Sequence, residues 1–162
     1  MRQRDNIEIG ELLFQLVSGP GTGTDAFAVL IARLISEEDV FTTADANEVI
    51  GPFNGKVENV RLIHLVELDW RQLSIESLKT LISDDRITIK KMRQKPYTVA
   101  SYHRLLITTS TAPHNLDHNR ICIIEGAAQQ SDEYFNIIYA AMRDPHTIEA
   151  FRAYLMARPV AE

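Results

Sequence analysis

The 162-residue sequence has one cysteine, one tryptophan and six prolines. With Cys122 alone there is no internal disulfide framework and no cysteine-rich metal site. Long hydrophobic runs are missing too. None approaches the roughly 18 residues needed to span a bilayer, and the opening Met-Arg-Gln-Arg-Asp-Asn lacks the apolar core of a secretion signal. These absences predict a cytoplasmic protein without membrane contact. Repeats, low-complexity tracts and linkers are also absent. What is present, 45% hydrophobic and 24% charged residues, is close to globular averages and predicts one folded domain over 1–162. The net charge of −5 is unevenly spread. Residues 1–85 carry 15 acids and 7 bases (net −8), whereas residues 86–162 carry 7 acids and 10 bases (net +3). That asymmetry predicts a local basic surface on an acidic body.

Along the chain, the apolar run 11–17 ends in Ser18-Gly-Pro-Gly-Thr-Gly-Thr24. Phe27, Leu30, Ile31 and Leu34 then recur at helical spacing. Strand, glycine-rich turn and helix open many nucleotide-binding α/β domains. A second helix is predicted over 43–50, and 60–68 reads as a strand buried on both faces. Ser74 should cap a helix over 75–82. Segments 87–91 and 97–100 flank a basic connection and read as a hairpin. Strands at 104–109 and 120–125 precede two helices, 131–143 and 145–158, the second with proline at its tolerated first position. Phe135, Ile138, Tyr139 and Met142 form a helical stripe expected to pack. Cys122, in an apolar strand, is expected in the core.

A phosphate-binding P-loop reads GxxxxGK followed by Ser or Thr. Its glycines let backbone N–H groups wrap phosphates, its lysine neutralises them, and its hydroxyl holds magnesium. Here Gly19, Gly21 and Gly23 supply the glycines, but Thr24 stands at the lysine position and Asp25 at the hydroxyl position. With no lysine, a carboxylate at the hydroxyl position would repel a triphosphate. The glycines fit equally well a plain turn between strand and helix.

Taken in order, these segments resemble the superfamily 3 helicase domain of phage and plasmid primase–helicases, a branch of the AAA-plus ATPases. Gly21-Thr-Gly23 stands where that family has its P-loop. Phe53-Asn54 matches an "FN", and Glu67 before Trp70 is similar to the end of its Walker B strand. Leu78-Lys79-Thr-Leu-Ile82 resembles its "LK.LI" helix, Ile87-Thr-Ile89 the strand entering its hairpin, and residues 104–110 its sensor-1 strand. Arg120 stands at the second position of an arginine pair, and Tyr134-Phe135 with Ala140-Ala-Met142 resembles its final helices. The resemblance implies an α/β, P-loop ATPase-like three-layer sandwich. It would have a mostly parallel central sheet, a basic β-hairpin and a C-terminal helical pair.

The departures bear on activity. The resemblance implies a P-loop lysine, a magnesium acid, a polar sensor and an arginine finger, and these positions read Thr24, Val66, Thr111 and Asn119. Glu67 and Arg120 remain as remnants of a catalytic set. The expectation is therefore a non-hydrolysing domain without a cofactor, with ATP and magnesium relevant only if it were a divergent ATPase. With 162 residues leaving no room for a primase, an accessory or inhibitory role in DNA replication is expected, through single-stranded DNA, a replication helicase or self-association. The DNA-binding candidates are Lys90, Lys91, Arg93, Lys95 and Tyr97. In the resembled family the matching hairpin touches DNA, and clustered cations contact phosphates regardless of sequence, with an aromatic near enough to stack a base. The same charges would also serve a solvated hairpin that keeps a strand edge soluble. A structural, protein-binding module is the remaining alternative. Two further groupings are weaker. His114, Asp117 and His118 read as a polar loop rather than a metal site, and Glu67 with Asp69 as a strand-end pair rather than an acid–base couple.

Overall fold

The computed structural model describes residues 13–72, 74–111, 121–126 and 128–159. Five strands, β1 (Leu13–Val17), β2 (Val40–Thr43), β3 (Leu62–Val66), β6 (Arg104–Thr109) and β7 (Ile121–Glu125), form one sheet in the order β2-β3-β6-β1-β7. Every neighbouring pair is parallel. The other elements are α1 (Thr24–Ile35), α2 (Asn47–Ile50), α3 (Ile75–Ser83), the antiparallel hairpin β4 (Arg86–Ile89) and β5 (Tyr97–Ala100), α4 (Asp132–Arg143) and α5 (Pro145–Ala157).

Alternation along the strands sets the layers. Leu16, Leu62 and Leu106 lie on one face and pack with Ala28 of α1. Leu13, Ile63, Leu65, Leu105 and Ile107 lie on the other and pack with Val49, Leu78, Leu81 and Ile89, from α2, α3 and the hairpin. Each fully buried aliphatic side chain contributes about 1.5–3 kcal/mol, so a one-residue slip of a strand would exchange both cores. A third cluster joins Ala26 of α1 to Met142 and Ile148, with Phe135, Ile138 and Tyr139 against it, as the stripe predicted. Ser74 caps α3, accepting from the Ser77 N–H at 3.1 Å, and Ser131 caps α4, accepting from the Tyr134 N–H at 3.2 Å. Arg152 of α5 donates to the carbonyls of Leu34 (2.9 Å) and Arg33 (3.1 Å), satisfying orphan acceptors at the end of α1.

The fold is the expected three-layer α/β arrangement, with three local differences. β2, unpredicted, runs into the first residue of the predicted helix, Thr43, and the helix there is confined to Asn47–Ile50. Thr43 and Asp45 divert that segment. Thr43 Oγ1 accepts from the Asp45 N–H (3.0 Å) and Asp45 Oδ1 from the Asn47 N–H (2.9 Å), which delays the helix by a turn. Cys122 is half-buried rather than in the core, because β7 is an edge strand whose exposure rises toward its end. Finally, Glu67 lies beyond β3, not within it. Its φ of 48° puts a non-glycine residue in the left-handed region and ends the strand.

Candidate functional site

Parallel strands share one carboxyl edge. The chain leaves β1 toward β2 on one side and reaches β7 on the other, so β1 sits where strand order reverses and ligand crevices open in such sheets. The glycine loop after Val17, Glu67 after Val66 and Ser110 after Thr109 all emerge at this edge. Val17 is in register with Thr109, and Val66 with Thr108. The sequence-predicted loop, acid and sensor are therefore brought together. Arg120, Asn119, His114, Asp117 and His118 lie outside the described residues.

The loop has the backbone of a cradle. Gly21 (φ 73°) and Gly23 (φ 98°) are left-handed, and Gly23 caps α1 without a side-chain hydrogen bond. Its surroundings are acidic. A cleft of roughly 500 Å3 beside it is lined by Thr24, Asp25, Asp132, Phe135, Asn136 and Tyr139, which include two carboxylates and no cation among the described residues. At an effective dielectric near 20, one charge reversal 4 Å from a phosphate changes the interaction from about 4 kcal/mol favourable to as much unfavourable. The chain also covers its own loop. The Gln130 N–H donates to the Gly21 carbonyl (3.0 Å) and the Gly126 N–H to that of Val17 (2.8 Å). A Cβ on Gly21 would stand 2.9 Å from the Gln129 side chain, and one on Gly126 only 2.2 Å from Ser18. Among the described residues, the lining of this cleft supplies no cation to a triphosphate.

The neighbouring groups are engaged locally. Trp70 Nε1 donates to the Thr111 carbonyl (3.4 Å), and Thr109 Oγ1 accepts from the Thr111 N–H (3.3 Å), tying the loops after β3 and β6 together. Glu67 is exposed. Asp69, two residues on, is gripped by Arg71 through Nε (3.0 Å) and Nη2 (2.8 Å), which holds its carboxyl below the usual range. Beneath the loop His64, buried in β3, meets Thr108 Oγ1 at 3.1 Å. Burial lowers its pKa, partly offset by the charge of Asp25. Sequence reading passed over this pair because a histidine in an aliphatic strand carries no motif.

The hairpin is the second candidate. Ile89 is fully buried, with Ile87, Tyr97 and Val99 against the same core, so one hairpin face is glued to the body. Asn54 clamps the end of β4. Its Oδ1 accepts from the Lys90 N–H (2.8 Å), its Nδ2 donates to the Thr88 carbonyl (3.0 Å), and its own N–H donates to the Lys90 carbonyl (3.2 Å). Glu58 forms a second anchor. It pairs with Lys91 and accepts from the Tyr97 hydroxyl at 2.9 Å, so Lys91 rises above and Glu58 falls below its usual pKa. Lys90, Arg93 and Lys95 are exposed around a turn in which Arg93 has φ 60°, beside Met92 at 67% exposure. Of the predicted cluster, three cations face solvent, while Lys91 and Tyr97 are held against the body.

Among the described residues no three His, Cys, Asp or Glu side chains form a metal site, and no helix is long and apolar enough to cross a membrane. No curated protein matches the chain. Among solved structures it is similar to the C-terminal region of NrS-1 in two apo structures of residues 305–718. Both have 20% identity and TM-score 0.72, with 95% of this chain covered. A further A-form apo structure of the same region, also 20% identical, gives TM-score 0.71. The chain spans only 38–39% of the length of those structures. Likeness at that identity concerns the fold. Residues 16–120, which hold the glycine loop, both anchors and the whole hairpin, match one family across most of the chain, and the protein belongs to that family of unknown function, DUF5906.

Proposed function

We propose that this chain is a helicase-like module of DNA replication, of phage or mobile-element origin, that acts by binding single-stranded DNA and not by hydrolysing ATP. The observation that carries the reading is the hairpin. Lys90, Arg93 and Lys95 are displayed to solvent on a turn held rigid by Asn54 and Glu58, while the glycine loop faces carboxylates. Pre-ordered cations lose little freedom on meeting phosphates, and each phosphate neutralised releases counterions. Among the described residues, the cleft beside the glycine loop is lined by Asp25 and Asp132 and by no lysine or arginine.

The test is binding of a labelled oligothymidylate across a salt series. Three contacts at about 0.7 counterions each give a slope of log K against log salt near −2. Replacing Lys90, Arg93 and Lys95 together by alanine should flatten that slope, whereas Lys91→Ala should leave it unchanged because Glu58 already occupies Lys91. Unchanged affinity and slope in the triple variant would overturn the DNA reading. Magnesium-dependent ATP turnover abolished by Glu67→Gln would overturn the non-hydrolysing half. A second reading, association with a replication helicase or another copy, is favoured by the outer face of α5. There Phe151 and Tyr154 stack at 6.3 Å, and Leu155 and Met156 are exposed, Met156 at 83%.

A further inference from the structure

A second cleft, of roughly 450 Å3, lies away from the glycine loop, between α2, α3 and the outer edge of β4. Three features define what it can hold. The first is the backbone of β4. In an antiparallel pair, successive residues turn their N–H and C=O groups alternately toward the partner strand and away from it. The Asp85 carbonyl accepts from the Ser101 N–H (2.8 Å) in the chain after β5, which turns Ile87 and Ile89 toward β5 as well. Arg86, Thr88 and Lys90 therefore turn their backbone outward. Asn54 already pairs with part of this edge as a strand residue would, bonding to both backbone groups of Lys90 and to the Thr88 carbonyl. At the other end the Asp84 N–H is taken by the Thr80 carbonyl (3.1 Å). Between these two closures the Arg86 N–H, the Arg86 carbonyl and the Thr88 N–H are unpaired among the described residues. They form a run of donor, acceptor and donor.

The second feature is an apolar floor, from Val49, Leu81 and Ile87. The third is charge. Asp84 and Arg86 line the cleft, and neither belongs to an ion pair among the described residues. The Asp84 backbone is extended (φ −83°, ψ 131°), so alternation puts its side chain on the face of Arg86, and puts Ile87 on the opposite, core-facing one. Glu76 and Lys90, also in the lining, add one charge of each sign. The cleft is therefore neither acidic nor basic as a whole, and its charges discriminate by position.

We propose that this edge receives an extended segment of a partner protein as an added antiparallel strand. A peptide backbone has the same repeat as β4, so it matches the open run in spacing as well as in order. The residue opposite Arg86 accepts from the Arg86 N–H and donates to the Arg86 carbonyl, and the residue opposite Thr88 accepts from the Thr88 N–H. Side-chain preference follows from alternation. The residue opposite Ile87 turns to the apolar floor, an acid is favoured opposite Arg86, and a base opposite Asp84. A second copy of this chain does not fit. Two β4 edges paired antiparallel would set their Arg86 side chains opposite or diagonal to each other on one face, and like charges there are destabilising. Lys90, Arg93 and Lys95 take no part, so the site goes beyond the proposed function and can fail separately from it.

The experiment is a two-dimensional amide NMR titration of the whole chain with three capped pentapeptides. The first, Thr-Ile-Glu-Thr-Lys, sets its residues opposite Thr88, Ile87, Arg86, Asp85 and Asp84 in turn. The second is the same peptide N-methylated at its glutamate, and the third, Thr-Ile-Lys-Thr-Glu, exchanges the charges. The first should shift the Arg86 and Thr88 amides saturably. The N-methylated peptide leaves the Arg86 carbonyl unpaired and should bind at least about fivefold more weakly. The exchanged peptide turns two cross-strand attractions into repulsions and should also bind about fivefold more weakly. Thr88→Pro removes an outward N–H from an edge strand, where proline is tolerated, and should weaken the first peptide as N-methylation does, read at the Arg86 amide. Should Thr88→Pro fail to fold, the three peptides on the unaltered protein still decide. Equal binding of the N-methylated or the exchanged peptide, or undiminished binding by a folded Thr88→Pro variant, would overturn the proposal. So would the lack of a saturable shift with the first peptide, including the case in which only oligothymidylate or a rise in the protein's own concentration moves these amides.

Discussion

Acidification should unfold this protein partly through His103. The residue lies between β5 and β6, nine-tenths buried, with Nδ1 3.3 Å from Ser101 Oγ and, among the described residues, no hydrogen bond at Nε2. Burial pushes its pKa down to about 4, against a smaller upward pull from the Leu81 backbone, and the charge of Arg104 adds to the lowering. The imidazole is therefore neutral in the folded chain at neutral pH. The unfolded chain takes up the proton first, as pH falls through its ordinary value of 6.5. Stability present above that value is lost progressively until pH reaches about 4, and is constant below it. By linkage the loss from this group is roughly 2 kcal/mol by pH 5 and about 3 kcal/mol in full. His64, also lowered by burial, adds a loss of the same sign. The assay is urea denaturation from pH 7.5 to 4.5 for the parent protein and His103→Gln. The variant curve should fall less steeply by about 2 kcal/mol at pH 5. Parallel curves would refute the reasoning, whatever the absolute stability of the variant.

Two further substitutions test the packing that positions the sites. Gln15 is fully buried in β1 with neither amide atom hydrogen-bonded among the described residues, so Gln15→Leu should stabilise the fold by about 1–3 kcal/mol in the same urea assay. A loss of stability there would mean the amide has a partner in solution. Asn54→Ala removes an acceptor from the Lys90 N–H and a donor from the Thr88 carbonyl. It should cost about 1–3 kcal/mol and speed hydrogen exchange at the Lys90 amide, and an unchanged exchange rate would show that the clamp does not hold the hairpin.

Local rules read most elements correctly. The α3 cap at Ser74, the proline opening α5, the hairpin and the aliphatic run of β3 depend on interactions within a few residues, and the structure has each of them. β2 was missed because four residues flanked by polar ones give too short an alternation. It is a strand because β3 pairs with Val40–Thr43 in register. The cation cluster was legible as charge, yet the pairing of Lys91 and Tyr97 with Glu58, 33 and 39 residues away, was not.

The sequence by itself determined the α/β class, the order of its elements apart from β2, the absence of a lysine from the glycine loop and the basic segment of the hairpin. All of these are properties of residue type and near-neighbour spacing. Only the tertiary structure decided which charges are free. Folding turned Lys91 inward and left Lys90, Arg93 and Lys95 outside. It also laid Gln129 and Gly126 over the glycine loop and opened the edge of β4 beside the charges of α3. Charge availability and open backbone edges depend on what long-range packing brings within a few ångströms, and spacing along the chain does not specify that.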